Sequence, residues 1–278
     1  MTRPPLGPPP GDENAMHSQV LALYGQGRLA EALPAAWHTV TAYPNSARAQ
    51  YTYASLLRDA GRFREALAVI DQTVRAGPSA DALVLRGDLQ RTLTGAHAAE
   101  TDYLQALRLQ PGHAMAVHNL AVSRMRMGTV TAAVRGLLEA ARLDPGLRAL
   151  AEDNMALAVT RVLRWATAAV VLLAAALIVV GAMHADGAPT VLPRIAAAVF
   201  TGVPIVAIGW TLRTVPGPTL RVVLRRHPVL GLRLLFLVLA VIAGLAGVAG
   251  ATAGAGVTGP LLVLGVIVLT LLGWMTGA

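Results

Sequence analysis

The chain has no cysteine, so disulfides, thiolate nucleophiles and cysteine-ligated zinc are excluded, although this absence leaves the compartment open. Lysine is missing too: all 23 basic residues are arginine, a pattern that fits codon bias in a GC-rich genome better than phosphate recognition. Catalytic signatures are absent. No P-loop, G-x-S-x-G, H-E-x-x-H or Rossmann glycine pattern occurs. The seven histidines are scattered, and His113 and His118 stand five positions apart, a step that puts their rings on different faces of a helix. The sequence therefore predicts no enzyme and no bound metal or cofactor.

Acidic residues are nearly absent from the second half. Residues 1–160 carry 15 Arg against 14 Asp or Glu, whereas residues 161–278 carry 8 Arg against Asp186 alone. The net charge of +8 thus sits beside apolar runs and not on a soluble face, which argues against nucleic acid as a partner. The first residues, MTRPPLGPPPGDEN, lack the apolar stretch of a signal peptide. Residues 1–12 read as a Pro-rich disordered or polyproline-like leader, which could also dock in an aromatic groove of a partner. What the chain does have is apolar mass: 55% hydrophobic residues and a mean hydropathy of +0.56, against roughly 45–50% apolar content in a soluble globule.

The first half repeats. GRLAEALPAAWHTVTAYP (27–44), GRFREALAVIDQTVRAGP (61–78), GAHAAETDYLQALRLQP (95–111) and GTVTAAVRGLLEAARLDP (128–145) recur in steps of 33–34 residues. Gly27, Gly61, Gly95 and Gly128 fall where a first helix ends and the chain reverses, a place that favours positive φ. Pro44, Pro78, Pro111 and Pro145 lie just beyond each second helix, where a missing N–H does no harm and continuation is blocked. Ala32, Ala66, Ala99 and Ala133 recur in register, as do Thr39, Thr73, Ala106 and Ala140, so that paired helices can approach closely.

This pattern resembles the tetratricopeptide repeat family over residues 13–146. The resemblance implies an α-solenoid of about four helical pairs whose first helices line a groove that takes a protein or peptide. Carried over by repeat position, the lining is His17, Leu21 and Tyr24; Arg48, Tyr51, Ser55 and Arg58; Asp81, Val84, Asp88 and Arg91; and Met115, His118, Val122 and Met125. Some members clamp acidic peptide C-termini, but Ser55 and Asp88 stand where that clamp uses Asn. Other departures predict distortion in repeats 1 and 3: Gln19 and Val20 replace a large apolar and a small residue, Arg86 occupies an apolar position, and one residue is missing between Gly95 and Pro111. Residues 147–164 read as a capping helix, with Leu147, Leu150, Ala151, Met155 and Ala158 opposite Glu152, Asp153 and Asn154.

The second half, 165–278, reads as a membrane domain. WATAAVVLLAAALIVVGAM (165–183) has no charge over 19 positions, long enough to cross about 30 Å of hydrocarbon at about 1.5 Å per residue. Residues 195–212, 234–254 and 260–277 behave likewise, giving four spans. The second contains Pro204 and also fits a re-entrant segment. Arg161 and Arg164 precede the first span, and Arg213, Arg221, Arg225, Arg226 and Arg233 occupy or flank the loop between spans two and three. The positive-inside rule then puts both termini in the cytoplasm, in a bacterial inner membrane. Arg221, Arg225 and Arg226 lie on an amphipathic segment suited to anionic headgroups, each contributing about 1 kcal/mol near the surface.

Gly244, Gly247, Gly250 and Gly254 leave a groove along span three, for contact with span four or with another copy in a homo-oligomer. Arg194 and Arg233 lie at span edges, where their heads can snorkel. The predicted fold is all-α: a tetratricopeptide-like solenoid followed by a four-helix transmembrane bundle. The expected function is a membrane-anchored adaptor that recruits a cytoplasmic protein or peptide. The alternative is a transporter component or pore regulated by the repeats.

Overall fold

The computed structural model describes residues 12–250 and 255–276. Thirteen α-helices and no strands occur among the described residues. The chain divides at Leu147/Arg148 into two compact units. The Pro-rich leader, residues 1–11, lies outside the described residues.

The first unit holds eight helices in four antiparallel pairs: α1 (Glu13–Gly25) with α2 (Leu29–Ala42), α3 (Ala47–Asp59) with α4 (Phe63–Ala76), α5 (Ala80–Leu93) with α6 (Ala96–Leu109), and α7 (Ala114–Arg126) with α8 (Val130–Leu143). Each first helix starts on a side chain that accepts a backbone N–H of its first turn: Asp12, Ser46, Ser79 and, through Nδ1, His113. In pairs 1, 2 and 4 the first helix ends on a left-handed glycine. The next residue's N–H then bonds back five positions, Arg28 to Leu23 O, Arg62 to Leu57 O and Thr129 to Arg124 O.

The expected distortion of repeats 1 and 3 does not occur. All four second helices are 14 residues long, α6 included. The missing residue is taken from the turn. Gly95, at φ 111° and ψ 178°, is itself the N-terminal cap of α6, whereas Gly27, Gly61 and Gly128 are each followed by one further residue before the helix starts. That backbone region is open to glycine and little else.

Arg86 is accommodated by charge. Its Nε donates to Asp102 on α6 at 2.9 Å, and its Nη1 lies 3.5 Å from Asp71 on α4. Three helices are thereby joined at a position where the other repeats are apolar or, at Gln19, solvent-exposed.

Packing between the two helices of a pair follows a size rule. At repeat-equivalent buried positions the pairs are Val20 with Ala36, Ala54 with Ile70, Gly87 with Tyr103, and Ala121 with Leu137. Where the second helix carries its largest side chain, the first carries none: a Cβ on Gly87 would stand 2.7 Å from the Tyr103 ring. Such interdigitation keeps the interior near crystalline density. Burying each large aliphatic, such as Ile70, Leu83 or Leu137, contributes about 1.5–3 kcal/mol.

The second unit contains α9 (Arg148–Ala185), α10 (Val191–Thr214), α11 (Gly217–Arg226), α12 (Pro228–Ala249) and α13 (Ala255–Thr276). Four of them, α9, α10, α12 and α13, are long and apolar enough to cross a membrane. Of residues 147–164, read from sequence as a capping or linker helix, Leu147 closes a 3-10 turn and 148–164 are the first part of one uninterrupted 38-residue helix, α9. Helix α10 runs through Pro204, which is buried on a stripe with Ala197, Thr201, Ala207 and Thr211.

The glycines of α12 pack within the unit, but not on the expected span. Gly244 faces Thr201 of α10 and Gly247 faces Leu177 of α9. The contact with span four is supplied instead by Gly265 of α13, which receives the ring of Phe236. Gly250 is left-handed, at φ 98°, and ends α12; Gly254, the other member of the expected small-xxx-small pair, lies outside the described residues.

Candidate functional site: the inner face of the repeat helices

First helices pack on one another, α3 on α5 and α5 on α7, while α2, α4 and α6 are each held between two first helices. The first helices therefore form the inner layer, and polar side chains tie them together at three levels. At their N-terminal ends Glu13 accepts from Ser46 Oγ (2.7 Å) and Arg48 Nη2 (2.9 Å), and His113 Nε2 meets Asp81 at 2.9 Å. At the C-terminal ends of α1 and α3 the Tyr24 hydroxyl donates to Asp59 at 2.7 Å, and Arg58 Nε donates to the other oxygen of the same carboxylate at 2.9 Å.

The middle level is built around Asp88. Its Oδ1 accepts from the Tyr103 hydroxyl at 2.7 Å, from Asn119 Nδ2 at 2.8 Å and from Arg91 Nη2 at 3.3 Å. Burial pushes this carboxyl above the usual carboxylate range, against the pull of the Tyr103 hydrogen bond and the Arg91 charge. The Tyr103 hydroxyl is held far above its ordinary value, first by burial and then by the Asp88 charge, so it stays a donor.

Next to this hub stand Tyr51, half-buried, and Arg58, whose Nη2 reaches Ser55 Oγ at 3.4 Å and whose charge is felt by both Tyr51 and Asp88. Burial, followed by the charge of Asp81, raises the Tyr51 hydroxyl. Ser55 with Arg58 on α3 and Asp88 with Arg91 on α5 are thus two joined pairs on adjacent first helices.

The remaining expected lining residues are dispersed. Arg48 and Asp81 are engaged in the inter-helix pairs described above. His17 is half-buried and Met115 exposed, while Met125 is half-buried near the end of α7. His118 is only 2% exposed, and Val84 and Val122 are buried as well. Packing against the neighbouring helices covers these three, so they offer no surface to a ligand.

Two contributors to the site escaped the sequence reading. Tyr103 comes from a second helix, yet its hydroxyl reaches the inner face because Gly87 leaves it room. Its signal was an aromatic alcohol where the other repeats carry Ala36, Ile70 and Leu137. Asn119 was the other. A shallow apolar groove also lies between the first two pairs, lined by Leu33, Trp37, Tyr53, Ala68 and Val69, with the Trp37 and Tyr53 rings 5.5 Å apart.

Residues 17–81, 51–100 and 84–148 match the sequence profile of the tetratricopeptide repeat. Residues 17–148 belong to the tetratricopeptide repeat family. Several solved structures are similar to part of the chain. One is YrrB, described as a repeat protein with an unusual peptide-binding site, which is 18% identical over 54% of this chain and 77% of its own, at a TM-score of 0.43. MamA from Desulfovibrio magneticus is 17% identical over 54% of this chain and 86% of its own, at 0.46. The Cut9–Hcn1 hetero-tetramer of APC/C is 13% identical, covering 80% of this chain and 42% of its own, at 0.52. At such identities the likeness is one of fold alone. No curated protein sequence matches the chain.

In the second unit, Arg221 and Arg225 project from α11 and are exposed, whereas Arg226 Nη1 lies 3.7 Å from Glu152 of α9. His227, just beyond α11, stands 3.4 Å from Asp153. Arg233, expected at a span edge with its head free, lies on the buried stripe of α12.

Proposed function

We propose that this chain is a non-catalytic adaptor, anchored in a membrane by α9–α13, whose repeat unit captures a protein or peptide. Membership in a family of protein-interaction repeats makes protein binding the coarse function of the first unit. The peptide reading draws on the patch around Asp88. Tyr51 has no hydrogen-bond partner among the described residues, and all three bonds to Asp88 converge on Oδ1, leaving Oδ2 as an acceptor. A donor on α3 and an acceptor on the adjacent α5 suit the C=O and N–H groups of an extended peptide, with Arg58 and Arg91 favouring a nearby carboxylate.

The membrane reading rests on one observation above others: the second unit has its surface reversed. Its buried stripes are rich in Ala, Gly and Thr, while Trp165 (77% exposed), Val206 (70%) and many Leu, Ile and Val side chains point outward. In water so broad an apolar surface would aggregate; in lipid it is matched. Arg213, Arg221, Arg225 and Arg226 between spans two and three support a cytoplasmic location for that loop, and with four spans for both termini.

The test is photo-crosslinking from position 51 in native membranes, with Arg58→Ala and Asp88→Asn in the same chain. Adducts to a defined protein that fade in both variants support the adaptor. Adducts that are unchanged in both, or a chain recovered in the soluble fraction, would overturn it.

A further inference from the structure

Arg233 is the single charged residue of α12, and it is 5% exposed on the stripe formed with Leu230, Leu237, Ala240 and Gly244. Its Nε is buried without a hydrogen-bond partner. The unit has three acidic side chains, and none serves it. Glu152 faces Arg226, Asp153 faces His227, and Asp186 lies in the turn after α9, at the opposite end from Arg164. The near neighbour with a charge is Arg164 of α9, which carries the same sign.

Arginine stays protonated under all ordinary conditions, so this guanidinium cannot escape by losing its proton. A buried charge persists when it is paired. Arg194 has a buried, unpartnered Nε as well, but it sits beside Gly250 at the C-terminal end of α12, where the helix dipole and open carbonyls offset its charge. Nothing of that kind is next to Arg233, which lies near the start of its helix.

We propose that Arg164 and Arg233 together bind a phosphoryl group between α9 and α12. Two guanidiniums make a donor set suited to phosphate oxygens. Arg233 is five residues beyond the start of α12, about 7–8 Å along the axis, at the same end of the bundle as the exposed arginines of α11. That depth suits the phosphodiester of an anionic phospholipid; inorganic phosphate offers the same chemistry from solution. This site is separate from Arg221 and Arg225, which meet headgroups at the surface. Its lipid source, though not the anion site itself, rests on the membrane reading above.

The test uses the full-length protein in phosphatidylcholine nanodiscs, with thermal unfolding followed as phosphatidylglycerol replaces part of the lipid. In a separate arm, detergent-solubilised protein receives inorganic phosphate or an equal ionic strength of chloride. The wild type is expected to gain roughly 2–4 °C with phosphatidylglycerol. Arg233→Gln and Arg164→Gln should each lose most of that gain, while Arg221→Gln/Arg225→Gln keeps most of it. A phosphate response matching the lipid response, and lost in the same variants, supports the site with a soluble source. If both single variants retain the full gain, or the wild type responds to neither anion, the proposal is wrong. Should the chain prove not to enter membranes, the phosphate arm still decides the anion site.

Discussion

Arg86 of α5 and Asp102 of α6 form a two-point ion pair in which the carboxylate is almost completely buried, 2% exposed. The pair stands where the second and fourth repeats carry Tyr53 and Leu120, and each partner makes the other tolerable. Arg86→Leu, which looks like a return to the family pattern, is therefore expected to destabilise the protein by about 3–5 kcal/mol, because it strands a buried carboxylate. Arg86→Leu/Asp102→Leu should recover most of the loss. Chemical denaturation of the four chains, read as a double-mutant cycle, checks this.

Gly87→Ala introduces a methyl 2.7 Å from the Tyr103 ring. Overpacking of this kind costs about 1–3 kcal/mol. Copying the second repeat, which pairs Ala54 with Ile70, Gly87→Ala/Tyr103→Ile should be more stable than the sum of its single changes allows, apart from the lost hydroxyl bond to Asp88. Thermal melts of the single and double variants test the coupling.

His118 is held below its ordinary value of 6.5 by burial and, secondarily, by the charge of Arg91. The neutral ring is favoured in the folded state, so its contribution is fully present above 6.5 and is lost as pH falls below that value towards the folded pKa. His17 acts in the same direction, through burial and Arg48, and over the same window. Amide hydrogen exchange in α5–α7 should accelerate as pH drops from about 7 to about 5, after correction for intrinsic rates. His118→Gln should flatten that dependence and leave the share of His17. An unchanged slope would refute the assignment.

A Cβ at position 244 would fall 2.1 Å from Thr201 Oγ1, and that hydroxyl is tied to Ala197 O at 2.6 Å. Gly244→Ala should therefore loosen the α10–α12 contact and lower the melting temperature in detergent by several degrees, about 1–3 kcal/mol of overpacking. Thr201→Ala removes the two nearest atoms and should restore part of the loss. Equal stability of Gly244→Ala and wild type would count against this packing.

The repeat period, the turn glycines and the closing prolines were enough to read eight helices in four pairs, because backbone conformation at Gly27, Gly61 and Gly128 is a local demand written by one residue. Four apolar helices were legible for a similar reason, since length and absence of charge are local properties. What escaped depends on partners far apart in the chain. Arg86 looked like a defect because Asp102 lies 16 positions on. The glycines of α12 gave the kind of contact but not the neighbour, since Thr201 and Leu177 come from other helices. On the inner face, helical spacing puts Tyr51 and Arg58 on α3 and Asp88 on α5 at lining positions of the repeats, and the structure leaves Tyr51 and Arg58 half-buried there. It also placed His118, Val84 and Val122 on the lining, whereas packing against the surrounding helices, a matter of partners distant in the chain, buries them.

Complementary volumes between the two helices of each pair also bear on how such an array can change over time. Tyr103 fits opposite Gly87 and would collide with Ala54 or Val20, while Ala36 opposite Gly87 would leave a void. Recombination that exchanged single helices between units would produce misfits, whereas duplication or loss of an entire hairpin would carry each matched couple along intact. The matched unit of packing in this array is the hairpin, and a consensus built by averaging over the four would blur the matching that distinguishes them.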